Sequence, residues 1–105
     1  MKRTLKLGTY PDTSGKVRWR VVAGNGKVLA KSPGGYPEGD ARLASDIGFI
    51  TGSEHDAELY RDRRGEWRWR LRRDGKRIVA VSSEGYVNRG DCERASDLFL
   101  DATPA

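Results

Sequence analysis

The chain has 105 residues, of which 36% are hydrophobic and 33% charged, with three Trp, four Tyr and two Phe. That length suits one domain with a modest core, and the patterned apolar residues and large aromatics exclude a disordered chain. Cys92 is the single cysteine, which excludes an intramolecular disulfide framework, and no apolar run is as long as a membrane span. Met1-Lys2-Arg3 is not followed by a signal-peptide core, so a cytoplasmic location is expected. The net charge of +5 is unevenly spread. Residues 1–53 carry nine Lys/Arg against four Asp/Glu, whereas residues 54–105 carry eleven of each. A nucleic-acid binder built from two basic copies would be basic in both, so this asymmetry weighs against that role.

An internal repeat organises the chain. Tyr10, Gly15, Arg18-Trp19-Arg20, Ala30, Ser32 and Gly35-Tyr36 recur fifty residues later as Tyr60, Gly65, Arg68-Trp69-Arg70, Ala80, Ser82 and Gly85-Tyr86. After one inserted residue, Gly39-Asp40 matches Gly90-Asp91 and Ala44-Ser45-Asp46 matches Ala95-Ser96-Asp97. The expected units are repeat one, 1–53, and repeat two, 54–105, sharing one core in a single domain.

Each copy reads as three strands and a helix. The first strand is expected from Arg3 to Tyr10 and from Ala57 to Tyr60. Turns follow that end in Gly15 and Gly65, where a positive φ closes a hairpin. The second strand has the clearest period of two: Val17, Trp19 and Val21 face one way, Lys16, Arg18 and Arg20 the other. In copy two Trp67, Trp69 and Leu71 oppose Glu66, Arg68, Arg70 and Arg72. Gly24-Asn25-Gly26 and Asp74-Gly75 signal the next hairpins, leading to third strands at Lys27–Lys31 and Lys76–Val81.

The helices follow. Asp40 and Asp91 are expected as N-caps, accepting from the free N–H groups of the first turn. The apolar helix faces are Ala41, Ala44, Ile47 and Gly48, widened by Leu43 and Ile50, and then Cys92, Ala95, Leu98 and Phe99. Asp46 and Asp97 are expected on solvent-facing helix surface. Gly52-Ser53 ends the first helix, and Thr103-Pro104-Ala105 forms a frayed tail. The fold class is therefore α+β: two tandem pseudo-symmetric β-β-β-α repeats forming one continuous antiparallel sheet, with the helices on one face over the Trp residues.

The segments Gly65-Glu66-Trp67-Arg68-Trp69-Arg70-Leu71, Asp74-Gly75-Lys76 and Ser82-Ser83-Glu84-Gly85-Tyr86 resemble the YegP-like family of small duplicated proteins. Copy one keeps Gly24-Asn25-Gly26 and Gly35-Tyr36 but has Ser32-Pro33-Gly34 in place of the Ser-Glu step. The resemblance implies a three-strand-plus-helix unit whose two copies pair into one sheet, so that the chain is its own pseudo-dimer and a monomer. It carries no activity.

The candidate binding residues are Arg18, Arg20, Arg68, Arg70 and Arg72. With the two second strands close together they form a cationic band on an open sheet face, and the planar guanidinium fork suits phosphate oxygens. Tyr10, Tyr36, Tyr60 and Tyr86 are candidate stacking surfaces for single-stranded bases. The competing explanation is that the arginines blunt an exposed sheet by pairing across strands with Glu58, Glu66 and Asp residues. The glycine clusters lack the Lys-Ser/Thr of a phosphate-binding loop. His55 and Cys92 lie on different elements with nothing to activate either, so no enzyme, cofactor or metal site is expected. The expected role is a non-catalytic binding or accessory module for a macromolecular partner, acting through the arginine face. Low-specificity nucleic-acid binding is the alternative.

Overall fold

A computed structural model of the chain describes residues 5–52 and 57–101. Arg3 and Thr4, Ser53, His55 and the Thr103-Pro104-Ala105 tail lie outside the described residues. The strands are β1 (Leu5–Pro11), β2 (Val17–Ala23), β3 (Val28–Lys31), β4 (Glu58–Arg61), β5 (Trp67–Arg73) and β6 (Arg77–Ser82). Helix α1 (Ala41–Gly52) follows β3, and helix α2 (Arg89–Asp101) follows β6.

The six strands form one antiparallel sheet in the order β1-β2-β3-β6-β5-β4. Its centre is the β3–β6 pairing, so β2 and β5 are not neighbours. Three steps of the usual ~4.8 Å strand spacing put them roughly 14 Å apart. The expected single band of arginines is thus split into two groups by intervening strands.

Both hairpins obey the turn chemistry. Gly15 and Gly65 have φ of +83° and +81°, and each N–H returns to the carbonyl of Asp12 or Asp62. A bulge recurs in each half: Leu29 stands unpaired between the Val21–Ala30 and Val22–Val28 pairs, and Val79 does the same beside Leu71 and Arg72. Both bulge residues are buried.

Trp19, Val21, Trp69 and Leu71 are buried on one face of the sheet, as their period of two predicts. Phe99 of α2 stacks on Trp69, ring centroids 5.0 Å apart. Burying each such side chain contributes roughly 1.5–3 kcal/mol, a large share of a small domain's stability. Gly35 and Gly85 meet a steric demand, since a Cβ on Gly35 would lie 2.7 Å from the Lys16 Cβ and one on Gly85 2.8 Å from the Glu66 Cβ. That clearance lets Tyr36 and Tyr86 exchange both backbone hydrogen bonds with Val17 and Trp67.

Helix α1 departs from expectation. Its buried positions are Asp46 and Ile50, flanked by half-buried Leu43, Ile47 and Phe49, while Ala41, Ala44 and Gly48 are exposed. Asp46 has no accessible surface, contrary to its expected solvent-facing place; Asp97 is exposed as expected. Burial of Asp46 is possible because its carboxylate accepts from the Tyr36 hydroxyl (2.6 Å) and from the Arg73 (3.1 Å) and Arg77 (2.5 and 2.7 Å) guanidiniums. Burial pushes its pKa up, but the hydrogen bonds from Arg77, Tyr36 and Arg73 outweigh that and hold the carboxyl below its ordinary value. Because Arg73 and Arg77 come from the β5–β6 hairpin, this cluster ties the two halves together.

The N-caps divide. Asp40 precedes α1 and accepts from the Arg42 N–H at 2.9 Å, as expected of a cap. Helix α2 begins two residues earlier than Asp91, so Asp91 sits within its first turn and pairs with Arg94 instead. An acidic residue there still suits the helix dipole.

Candidate functional site

Strand alternation puts Arg18, Arg20, Arg68, Arg70 and Arg72 on the face opposite Trp19 and Trp69. The pairing registers align one row of outer-face positions across all six strands: Gly8, Arg20, Lys31, Val81, Arg70 and Glu58. Tyr10 and Tyr60 flank this row, opposite Arg18 and Arg68.

Two of the five arginines serve the hairpins. Asp12 accepts from the Ser14 N–H and hydroxyl (2.9 and 2.7 Å) and from the Lys16 N–H (3.0 Å), while its other oxygen takes the Arg18 guanidinium at 2.9 Å. Asp62 repeats this with the Arg64 and Glu66 N–H groups and the Arg68 guanidinium at 2.7 Å. The Ser14 hydroxyl first, then Arg18, hold the Asp12 carboxyl well below the usual range; Arg68 does most for Asp62. Sequence reasoning missed both aspartates, although each stands six residues before its arginine.

The remaining arginines differ between the halves. In the second half Glu58 on β4 accepts from Arg70 at 2.5 Å and Arg72 at 3.3 Å, as the pairing explanation anticipated. Those guanidiniums, Arg70 foremost, lower the Glu58 pKa. In the first half the place opposite Arg20 is taken by Gly8, and Val22 stands where Arg72 does. No carboxylate among the described residues lies within ion-pair distance of Arg20 or of Lys31, its pairing neighbour on β3. Both side chains are exposed.

Each arginine of the row lies over a tyrosine. The Arg20 guanidinium is 4.7 Å from the Tyr10 ring centroid, and that of Arg70 is 4.2 Å from Tyr60. Tyr36 and Tyr86 belong elsewhere: Tyr36 is buried with its hydroxyl on Asp46, and Tyr86 is half-buried, its hydroxyl pKa pushed up to about 12 by burial and then by Glu84. They are not stacking surfaces.

Around Arg20 lies a shallow open cleft of about 450 Å³, lined by Tyr10, Arg20, Lys27, Val28, Lys31, Ser83 and Glu84. Its far wall is the seam between the halves, where the Ser83 hydroxyl donates to the Val28 carbonyl and Lys27 pairs with Glu84 at 2.9 Å. Pro33 and Gly34, which stand where Ser83 and Glu84 do in the second half, cannot make such side-chain contacts.

Cys92 is fully buried and burial pushes its thiol pKa up. No group of three or more His, Cys, Asp or Glu able to hold a metal occurs among the described residues. No described helix is long and apolar enough to cross a membrane.

The chain shares 42% identity over 48 residues with a UPF0339 protein of Neisseria meningitidis serogroup B, an alignment covering 46% of this chain and 84% of that relative. A UPF0339 protein from serogroup A matches to the same extent. The chain belongs to the UPF0339 family. Residues 62–96 match the model of a domain of unknown function, DUF1508. Two solved structures share the fold. The solution NMR structure of yegP from E. coli, a protein of unknown function, has a TM-score of 0.73 at 18% identity, covering 99% of this chain and 89% of that one. A UPF0339 protein from Shewanella oneidensis has a TM-score of 0.74 at 14% identity, covering 92% and 82%. The YegP-like resemblance drawn from sequence motifs is thereby borne out.

Proposed function

We propose that this chain is a small non-catalytic binding module whose outer sheet face takes an anionic partner, through its first half. The observation that carries this reading is the contrast at one row of the sheet: Arg70 is neutralised by Glu58, whereas Arg20 and Lys31 face solvent with no carboxylate partner among the described residues. A cation left unpaired in an open cleft keeps its full attraction for an incoming anion.

The architecture behind this reading is a tandem repeat, 1–53 and 54–105, acting as an internal pseudo-dimer and a monomer. The recurring bulges, hairpin aspartates and strand pairings support it, as does the length of the Neisseria relative, whose 48 aligned residues amount to 84% of it and to one repeat. On this reading both helices lie over the tryptophan face, which is supported by Phe99 on Trp69 and by Asp46 on Arg73 and Arg77, whose positions alternate with the arginine row. The opposite face is then free for a partner.

An NMR titration of the labelled protein with inorganic polyphosphate tests the reading. The amide signals of Gly8, Arg20 and Lys31 should shift in a saturable way, while those around Trp69 and Phe99 stay in place. Absence of shifts at low salt, or shifts confined to β4 and β5, would refute it.

A further inference from the structure

We propose that the partner is a single-stranded nucleic acid, with a phosphate held between Arg20 and Lys31 and a base stacked on the Arg20 guanidinium above Tyr10. This inference rests on the anion-binding reading above and names the ligand of that same surface.

Three features select this class. The guanidinium fork and an ammonium leave the same face side by side, since Arg20 and Lys31 are pairing partners on adjacent strands and both are exposed. A phosphate with several free oxygens is served by both at once. Part of the same group is a cation–π pair, the Arg20 guanidinium 4.7 Å from the Tyr10 ring centroid. That pair offers a flat, polarisable surface which adds nothing for a carboxylate but stacks any base. Finally, the cleft is open and shallow, lined by strand residues. An enclosed pocket would suit a small molecule, and a projecting helix or ribbon would be needed to enter a duplex groove. A sheet surface with an exposed guanidinium plane backed by a half-buried tyrosine suits splayed, unpaired bases, which stack on Arg planes as well as on aromatic rings. Glu84, the one carboxylate lining the cleft among the described residues, is held by Lys27 at 2.9 Å, which reduces its repulsion of a phosphate.

The second half has the matching Tyr60 and Arg70, but Glu58 occupies the place of the phosphate. Glu58 is one of the eleven acidic residues that balance the eleven Lys/Arg of residues 54–105.

The test is fluorescence anisotropy of the full chain with a labelled single strand of about twelve thymidines, long enough for one site of this kind. A duplex of equal length, labelled polyglutamate and inorganic polyphosphate as competitor complete the set. Two phosphate contacts predict a log–log salt slope of about −1.4, or roughly sevenfold weaker binding between about 50 and 200 mM salt. Tyr10→Leu should weaken the single strand about fivefold or more and leave polyphosphate competition unchanged, whereas Tyr10→Phe should bind like the parent. Arg70→Gln should have no effect, and near-ultraviolet circular dichroism of each variant verifies its fold. The proposal is overturned if the duplex or polyglutamate binds as well as the single strand, or if Tyr10→Leu changes nothing; the anion-binding reading then survives without the base. If no polyanion binds at low salt, both fall together.

Discussion

The two halves of the sheet carry the same tyrosine, the same pair of arginines and the same hairpin aspartate, yet one side is electrostatically closed and the other open. The difference in ion pairing turns on one outer-face position of each edge strand, Gly8 on β1 and Glu58 on β4, with Lys31 against Val81 and Val22 against Arg72 as further changes on that face. Glu58 ties down Arg70 and Arg72. Gly8 leaves Arg20 and its neighbour Lys31 without a carboxylate partner among the described residues. A recurring scaffold thus fixes where a guanidinium stands, while its freedom is set by the residue beside it. Counting arginines along the chain cannot reveal this, because the half richer in arginine is the half in which they are tied down.

The halves also differ beneath the sheet, and the largest expected effect lies there. Asp46→Ala removes the acceptor of Tyr36, Arg73 and Arg77, whereas Asp97→Ala alters an exposed residue. Denaturant unfolding should show a loss of about 3 kcal/mol for the first, at the low end for a broken buried pair because Arg73 and Arg77 still reach water. The second should stay within about 0.5 kcal/mol. Equal effects would break the comparison.

Gly35→Ala and Gly85→Ala test what the halves share. Each new methyl would press on the residue that leads into the adjoining strand, at 2.7 Å from the Lys16 Cβ and 2.8 Å from the Glu66 Cβ, so both should lose about 1–3 kcal/mol in the same measurement. A loss in only one would show that the halves do not obey the same backbone constraint.

The acid limb of stability sharpens the contrast further. The folded-state pKa values of Asp12, Asp46, Glu58 and Asp62 are depressed, so their contributions are complete above the unfolded value near 4 and are lost as pH falls towards the folded values. Glu58→Gln should flatten part of this acid loss, measured as melting temperature against pH. The smallest effect concerns Cys92: a thiol reagent should leave it unmodified in the folded protein and react fully once the chain is unfolded, since the side chain is buried and its pKa raised.

Much of the fold was legible from the sequence because it depends on local rules. The period of two around Trp19 and Trp69, the Gly15 and Gly65 turns and the recurring Gly-Tyr step each report on their own few residues. What was hidden depends on partners distant in sequence. Asp46 reads as solvent-facing because a helical pattern counts an aspartate as polar, and nothing near it announces that Arg73 and Arg77 will reach it from the other half. The early start of α2 puts Asp91 inside the helix: the Cys92 N–H already donates to the Asn88 carbonyl at 3.3 Å, and the Arg89 guanidinium lies 5.7 Å from the Trp67 ring, a partner distant in sequence. The arginine face itself was foreseen, but its division was not. Strand order separates β2 from β5, and only the pairing register sets Gly8 beside Arg20 and Glu58 beside Arg70.

The central claim is that this edge position decides which half binds an anion, and a reciprocal exchange tests it most directly. A Cβ at Gly8 meets nothing within 4 Å, so Gly8→Glu is sterically open. The protein carrying Gly8→Glu together with Glu58→Gln should be followed by NMR titration with inorganic polyphosphate beside the parent chain. The responding amides should move from the Gly8, Arg20 and Lys31 region to Arg70, Arg72 and their neighbours. Binding that stays on the first half, despite the carboxylate introduced on β1, would contradict the claim.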